Sequence, residues 1–313
     1  METSFTRMLN IRYPVIMAPM FLVSNVKMVV AALECGITAA IPALNYRTDQ
    51  ELREAIYEIR SQSDQAFGIN LIVNRSNLKF KRQLNTCLEL KVDFIITSLG
   101  NPKSTIEQCR KKGIRVFCDV INLEYALKVE QLGADGVIAV NCEAGGHAGN
   151  LRPQELIPLL KKHLRIPVIS AGGIANNQHL KSVMELGADG VSIGTVFIAS
   201  EESPVSPEYK KALVEYGAED IVRTSKLTGT PLTVINTPFV QKIGTRSNLL
   251  EQMINSSKRL KKYTKMLVAF KGMSLVRKAA FQATYKTVWC AGPSIEYIHA
   301  IEPVEKIIGR IIK

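Results

Sequence analysis

No stretch of the 313-residue chain reaches the roughly 18 uninterrupted apolar residues that a membrane-spanning helix needs, so a membrane span is not expected. Residues 1–10 carry no continuous apolar stretch, and no secretory signal is expected there. The six cysteines (35, 87, 109, 118, 142 and 290) form no CxxC pair and no Cys/His cluster with zinc spacing. That scatter excludes a disulfide framework and a structural metal site, and it fits reduced thiols in a cytoplasmic protein. Proline (13) and glycine (20) are too few, and charged residues (22%) too moderate, for extended disorder.

What the chain does have is apolar mass, at 46% of residues, and a regular way of spending it. Eight short runs rich in Val and Ile lie at 15–18, 37–41, 67–73, 94–97, 116–120, 137–140, 168–171 and 191–193. They are apolar on both faces, the mark of parallel strands covered by helices. Between them, 49–59, 123–132, 154–164 and 181–186 carry helical spacing. The string Leu132-Gly133-Ala134-Asp135-Gly136-Val137 recurs unchanged as Leu186-Gly187-Ala188-Asp189-Gly190-Val191. Each copy ends a helix at Gly and enters a strand, so two successive βα units share one corner. An α/β fold follows, a (β/α)₈ TIM barrel with a C-terminal hairpin and helical insertion. The expected barrel comprises 1–202 and 291–313. Within the insertion, 203–290, a hairpin is expected over 221–235 and basic helices over 248–285. A last helix over 294–312 would close the outer ring.

The charge is uneven. Of the net +12, a net +9 falls between Arg246 and Lys286, where ten basic residues accompany one acidic residue. Such a segment either forms a solvated helical face or steers an acidic partner. It carries no recognised nucleic-acid docking motif, and no nucleic-acid role is expected.

In a barrel of this type, chemistry sits where strands end. Run seven is followed by Gly172-Gly173-Ile174 and run eight by Gly194-Thr195. Glycines at adjacent strand ends either make tight turns or let backbone N–H groups approach a phosphate. Run six is followed by Cys142-Glu143-Ala144-Gly145-Gly146-His147-Ala148-Gly149. His147 there either exchanges protons near neutral pH or caps the next helix. Cys142 as a nucleophile would need His147 as its activating base. Asn70, inside run three, pairs either with a neighbouring strand or with a ligand that has donor and acceptor edges. Met20, in Ala18-Pro19-Met20, packs in the core or against a flat ring. Ser98 to Asn101 and Asp119 complete the rim, and Asp119 is expected to pair with a Lys or Arg or to face the site. His163, His179 and His299 fall on helical stretches away from strand ends. No lysine stands at a strand end, which argues against Schiff-base chemistry.

Together these motifs resemble the nitronate monooxygenase family, once called 2-nitropropane dioxygenases, which includes the FMN-dependent enoyl-acyl-carrier-protein reductases of type II. The resemblance runs from Pro14 to Ser203 and resumes at Ala291-Gly292. It rests on Ala18-Pro19-Met20, Gly68-Ile69-Asn70-Leu71, Glu143-Ala144-Gly145-Gly146-His147-Ala148-Gly149, Ala171-Gly172-Gly173-Ile174 and Gly194-Thr195-Val196-Phe197. It implies non-covalent FMN. Ala18, Met20, Asn70 and Gly145 would contact the flavin. Gly172, Gly173, Ser192, Ile193, Gly194 and Thr195 would hold its phosphate. His147 would be catalytic, as a base or as a stabiliser of negative charge.

Members of the family often have Gln or Glu where Val140 stands, Gly where Asn141 stands, Arg or Ala where Val196 stands, and Gln where Pro293 stands. Two activities follow from the resemblance. One is oxidation of small alkyl nitronates with O₂. The other is NAD(P)H-dependent reduction of an enoyl thioester or a quinone, in which residues 246–286 would meet an acidic acyl carrier protein. A phosphate-binding barrel without redox chemistry is a third reading. Dimers are common in the family, so a homodimer is also expected.

Overall fold

The computed structural model describes residues 1–74, 77–225, 231–245 and 288–313, and in it all eight apolar runs become strands of one closed parallel barrel. The strands are β1 (Val15–Met17), β2 (Thr38–Pro42), β3 (Gly68–Ile72), β4 (Phe94–Ser98), β5 (Arg115–Val120), β6 (Gly136–Val140), β7 (Val168–Ala171) and β8 (Gly190–Ile193). Closure is made by β1 on β8, with Val15 opposite Val191 and Ile16 opposite Ser192. Around the barrel run α1 (Ser4–Leu9), α2 (Val26–Glu34), α3 (Asp49–Gln62), α4 (Phe80–Glu89), α5 (Lys103–Arg110), α6 (Leu123–Gln131), α7 (Pro153–His163) and α8 (Asn177–Glu185). In α3, the Thr48 hydroxyl and the Glu51 carboxylate form a reciprocal cap, and Leu52, Ala55, Ile56 and Ile59 are buried along one face.

The floor of the barrel is aromatic. Phe5, from α1, meets Phe117 edge-on at 5.7 Å between ring centroids, and Phe94 meets Phe117 at 5.5 Å. All three rings are fully buried. Strand-starting glycines leave room for them. A Cβ on Gly68 would overlap the Phe94 ring, and one on Gly136 or Gly190 would lie 2.8 Å from Phe117 or Phe5.

The repeated string now has a physical reason. Its first glycines, Gly133 and Gly187, end α6 and α8 at φ +87° and +98°. Its aspartates bracket the preceding strand. Asp135 accepts the Val116 N–H and Asp189 the Val168 N–H, both at 2.9 Å. Asp189 also accepts from Lys161 Nζ and Ser4 Oγ at 2.7 Å. The same device occurs outside the string, where Asp93 accepts the Phe67 N–H at 2.9 Å. The second glycines, Gly136 and Gly190, are the ones that clear the aromatic floor.

After β8 come α9 (Thr195–Ile198) and α10 (Pro207–Glu215). The expected hairpin forms as antiparallel β9 (Ile221–Thr224) and β10 (Leu232–Ile235), followed by α11 (Pro238–Ile243). The basic helices expected over 248–285 lie outside the described residues. The final helix is shorter than expected: a 3₁₀ turn, Pro293–Tyr297, precedes α12 (Val304–Ile312). Pro303 explains the break, because it has no N–H for a helix and disfavours helical backbone before it. The residues between run alongside the end of α9, with Glu302 N–H donating to Ala199 O at 3.3 Å. Among the described residues no helix is long and apolar enough to cross a membrane. All six cysteines are free.

Gly190→Ala should lower stability by about 1–3 kcal/mol through overpacking against Phe5. Gly309→Ala, in α12 with nothing within 4 Å of its Cβ, should raise stability by about 0.5–1 kcal/mol. Urea unfolding midpoints of the two variants check both signs.

Candidate active site

The loop after β6 is built on a buried amide. Asn141 is fully buried; its Oδ1 accepts the Glu143 N–H at 2.8 Å and its Nδ2 donates to Gly172 O at 3.2 Å. Its backbone O accepts the Gly149 N–H at 3.1 Å, closing the loop on itself. The turn after β7 presses against this loop. Gly172 has φ +115°, and a Cβ there would collide with Asn141 Oδ1 and lie 2.6 Å from Ala144 N. A Cβ on Gly173 would overlap the Glu143 carboxylate. From the other side comes Ala291-Gly292. The Gly292 N–H donates to Thr195 Oγ1 at 3.0 Å, and a Cβ on Gly145 would lie 3.0 Å from Ala291 C and Gly292 N. The structure thus brings Gly145, Gly172, Gly173 and Thr195 into one cluster.

Gly194 differs from its neighbours. A Cβ there would sit 3.6 Å from Met20 Sδ and 3.8 Å from Ala18 Cβ, which is ordinary contact. Its φ of −114° suits any residue. At Gly172 and Gly173 the missing side chains make room for Asn141 and Glu143, whereas at Gly194 the protein has no need of the space. Ala18 and Met20 are held beside it, the first through an N–H donated to Ile193 O at 2.8 Å and the second through an N–H donated to Ser24 Oγ at 2.9 Å. Ser192, Ile193 and Thr195 are buried alongside.

Across the mouth, Asn70 is buried in β3 and donates from Nδ2 to Ile96 O at 3.2 Å and to Ser98 Oγ at 2.7 Å. Ser98 in turn donates to Asp119 Oδ2. The amide is therefore held by the neighbouring strand, which leaves Oδ1 for a ligand. Among the described residues no Lys or Arg pairs with Asp119; Ser98 donates to it, and burial pushes its pKa up to about 6.

His147 stands at the outer side of the mouth with part of its ring open to solvent, and the surrounding protein lowers its pKa from the ordinary imidazole value by burial. Burial raises the Glu143 carboxyl, an effect that His179 and Arg152 oppose. His179 is therefore not remote from the site: it lies near Glu143 and meets Tyr297 edge-on at 4.7 Å. His299 is exposed in the irregular stretch after the 3₁₀ turn rather than in a helix. Burial, and then Glu143, raise the pKa of the Cys142 thiol, which disfavours the thiolate that a nucleophile would need. Val196 is buried in the layer between barrel and helices and Val140 packs on the inner cluster, so of these two departures only Val140 borders the mouth. The sequence reading named Asn141 only as a departure from the family pattern and Ser98 only as part of the rim, and it did not name Arg223. Asn141 was legible in principle, as a polar residue following an apolar run. Ser98 as a link and Arg223, whose guanidinium donates to the loop carbonyls, carried no local signal.

The nitronate monooxygenase family model matches residues 2–313. A probable nitronate monooxygenase of Staphylococcus saprophyticus is 28% identical over 288 residues, which is 78% of this chain and 81% of that protein. FabK from Thermotoga maritima superposes with a TM-score of 0.86 at 31% identity, covering 99% of this chain and 95% of the other. Nitroalkane oxidase from Streptomyces ansochromogenes shares the fold, with a TM-score of 0.78 and 22% identity, over 98% of this chain and 96% of its own. The barrel, the Gly-rich rim and the match along almost the whole chain agree: the chain belongs to the nitronate monooxygenase family and is an FMN-dependent oxidoreductase.

Proposed function

We propose that the enzyme oxidises small alkyl nitronates with O₂, and that His147 is the group that handles the proton. The observation carrying this reading is His147 itself, a histidine at the barrel mouth whose pKa is lowered by burial. Its neutral imidazole is the form that would take the α-carbon proton of a nitroalkane and so generate the nitronate that is then oxidised. Val140 keeps the neighbouring wall apolar, which suits a small alkyl substrate.

The corner at Gly194, with Ser192, Ile193, Thr195 and the Gly172-Gly173 backbone, would hold the FMN phosphate. Ala18, Met20, Asn70 and Gly145 would contact the ring system, with Asn70 offering the Oδ1 that its strand partners leave available. When bound, FMN supplies the electron-accepting chemistry and the reaction with O₂ that no side chain here provides. The protein orients the substrate, holds the proton and keeps the mouth shaped.

A second reading is favoured by the 31% identity to FabK over 99% of this chain. In it the same site reduces an enoyl thioester or a quinone with NAD(P)H, and the basic segment 246–286 steers an acidic acyl carrier protein. The six free thiols fit work in a reducing, cytoplasmic setting.

His147→Gln should keep bound FMN and lower kcat/KM on nitroalkanes, whose α-carbon proton His147 would take, by about 10²–10⁴-fold. In the wild type, kcat/KM should hold through neutral pH and fall in acid with an apparent pKa below about 6.5, as imidazole protonates. His147→Gln should lose that limb, while Asp119→Asn, which removes the other group titrating nearby, should keep it. Persistence of the limb in His147→Gln would assign it elsewhere. Gly194→Ala should unfold at the wild-type urea midpoint and yet weaken FMN retention by about tenfold or more, since its methyl enters space that the protein leaves open. Unchanged FMN retention in this variant would move the phosphate to another corner.

A further inference from the structure

Thr233 and Arg223 face each other across the β9–β10 hairpin as register partners. Both reach the same short loop after β6, on opposite sides of His147. On the preceding side, the Gly146 N–H donates to Thr233 O at 3.0 Å and the Thr233 N–H donates to Gly146 O at 2.7 Å. On the following side, Arg223 Nη2 donates to Ala148 O at 2.9 Å, while its Nη1 donates to Gly149 O at 3.1 Å and to Asn150 Oδ1 at 2.8 Å. One rung of the hairpin thus holds the residues on both sides of His147.

We propose that this Arg223–Thr233 rung is the clamp that positions His147, and that Arg223 is a positioning residue for the reaction; the catalytic part of this rests on His147 acting as proposed above. The loop needs such a clamp. Gly145 and Gly146 precede His147, and Gly146 has φ +73° with nothing within 4 Å of a Cβ built there. Side-chain packing therefore does not hold the loop at that point, and hydrogen bonds from the hairpin do. A guanidinium suits the far side because its planar fork can reach several carbonyl oxygens at once. The clamp is itself anchored. The Ile235 N–H donates to Trp289 O at 2.9 Å, the Trp289 ring stacks on Tyr209 at 5.4 Å, and Leu232, Val234, Val240 and Val288 form a small core of their own. The hairpin interrupts the βα alternation of the chain, and holding the His147 loop gives that interruption a purpose.

The test uses the FMN-loaded full chain and two variants that break the clamp on different sides. Arg223→Ala removes the fork. Thr233→Pro removes the outward N–H of β10 at an edge where proline is tolerated. Amide hydrogen exchange should speed up about tenfold in residues 143–150 and stay unchanged in the barrel strands. FMN content and KM for the nitroalkane should stay at wild-type values while kcat falls about 10- to 100-fold, the scale of a misplaced catalytic group. Arg223→Lys, with a charge but no fork, should fall between. Unchanged exchange in 143–150 would overturn the clamp, as would lost FMN or exchange that rises throughout the barrel. Faster loop exchange with wild-type kcat would uphold the clamp and overturn His147 as the proton-handling residue.

Discussion

Backbone meets backbone at the rim of this barrel, and the rest of the site depends on that contact. The loop after β6, the turn after β7 and the returning Ala291-Gly292 segment approach so closely that side chains at Gly172, Gly145 or Gly292 would strike a neighbour's main chain or the buried Asn141. Asn141 is the pin of this arrangement, joining Glu143 N–H, Gly149 N–H and Gly172 O. A buried amide with its groups satisfied fixes one geometry rather than several. That geometry puts His147 on the outside of the loop and leaves the corner at Gly194 open.

The two ends of the barrel solve opposite packing problems. At the floor, glycines create volume that three phenylalanine rings fill, and aspartates at strand starts tie neighbouring strands together. At the mouth, Gly145, Gly172, Gly173 and Gly292 create closeness, while Gly146 and Gly194 leave a side chain room. The floor is thus a matter of stability and the mouth a matter of binding, the division of labour expected of a parallel barrel. Polar groups follow the same division. Asp93, Asp135 and Asp189 are engaged by strand-start N–H groups, whereas Asp119 sits at a strand end and accepts from the Ser98 hydroxyl that links it to Asn70, with its pKa pushed up to about 6.

The barrel was legible in the sequence because parallel strands covered on both faces leave uninterrupted apolar runs, and each run became a strand with its bounds shifted by at most a few residues. The repeated Leu-Gly-Ala-Asp-Gly-Val string was legible as a corner, but not as an aspartate bracket over an aromatic floor, because that needs residues far apart in the chain. His147, Asn70 and the glycines were found because strand ends are where chemistry sits. Their reasons for being there were less visible. Gly172 and Gly173 read either as tight turns or as a phosphate cradle; in the fold their bare faces are filled by Asn141 and Glu143, whereas a side chain at Gly194 would make only ordinary contacts. His179 read as remote, though the fold brings it near Glu143. Pro303 gave a local signal for the break in the final helix, and apolar spacing outweighed it. Arg223 could not be read at all, since an arginine in a short alternating strand looks like any exposed charge until the hairpin is placed against the loop.

The central claim is that this rim holds FMN beside a neutral His147 and uses them on an alkyl nitronate. Anaerobic mixing of the FMN-loaded enzyme with an alkyl nitronate, NADH or NADPH, followed by the visible flavin absorbance, tests it most directly. The account predicts rapid bleaching by the nitronate and slow or absent bleaching by either nicotinamide. Rapid bleaching by NADH or NADPH, with none by the nitronate, would contradict it and assign the site to the reductase chemistry.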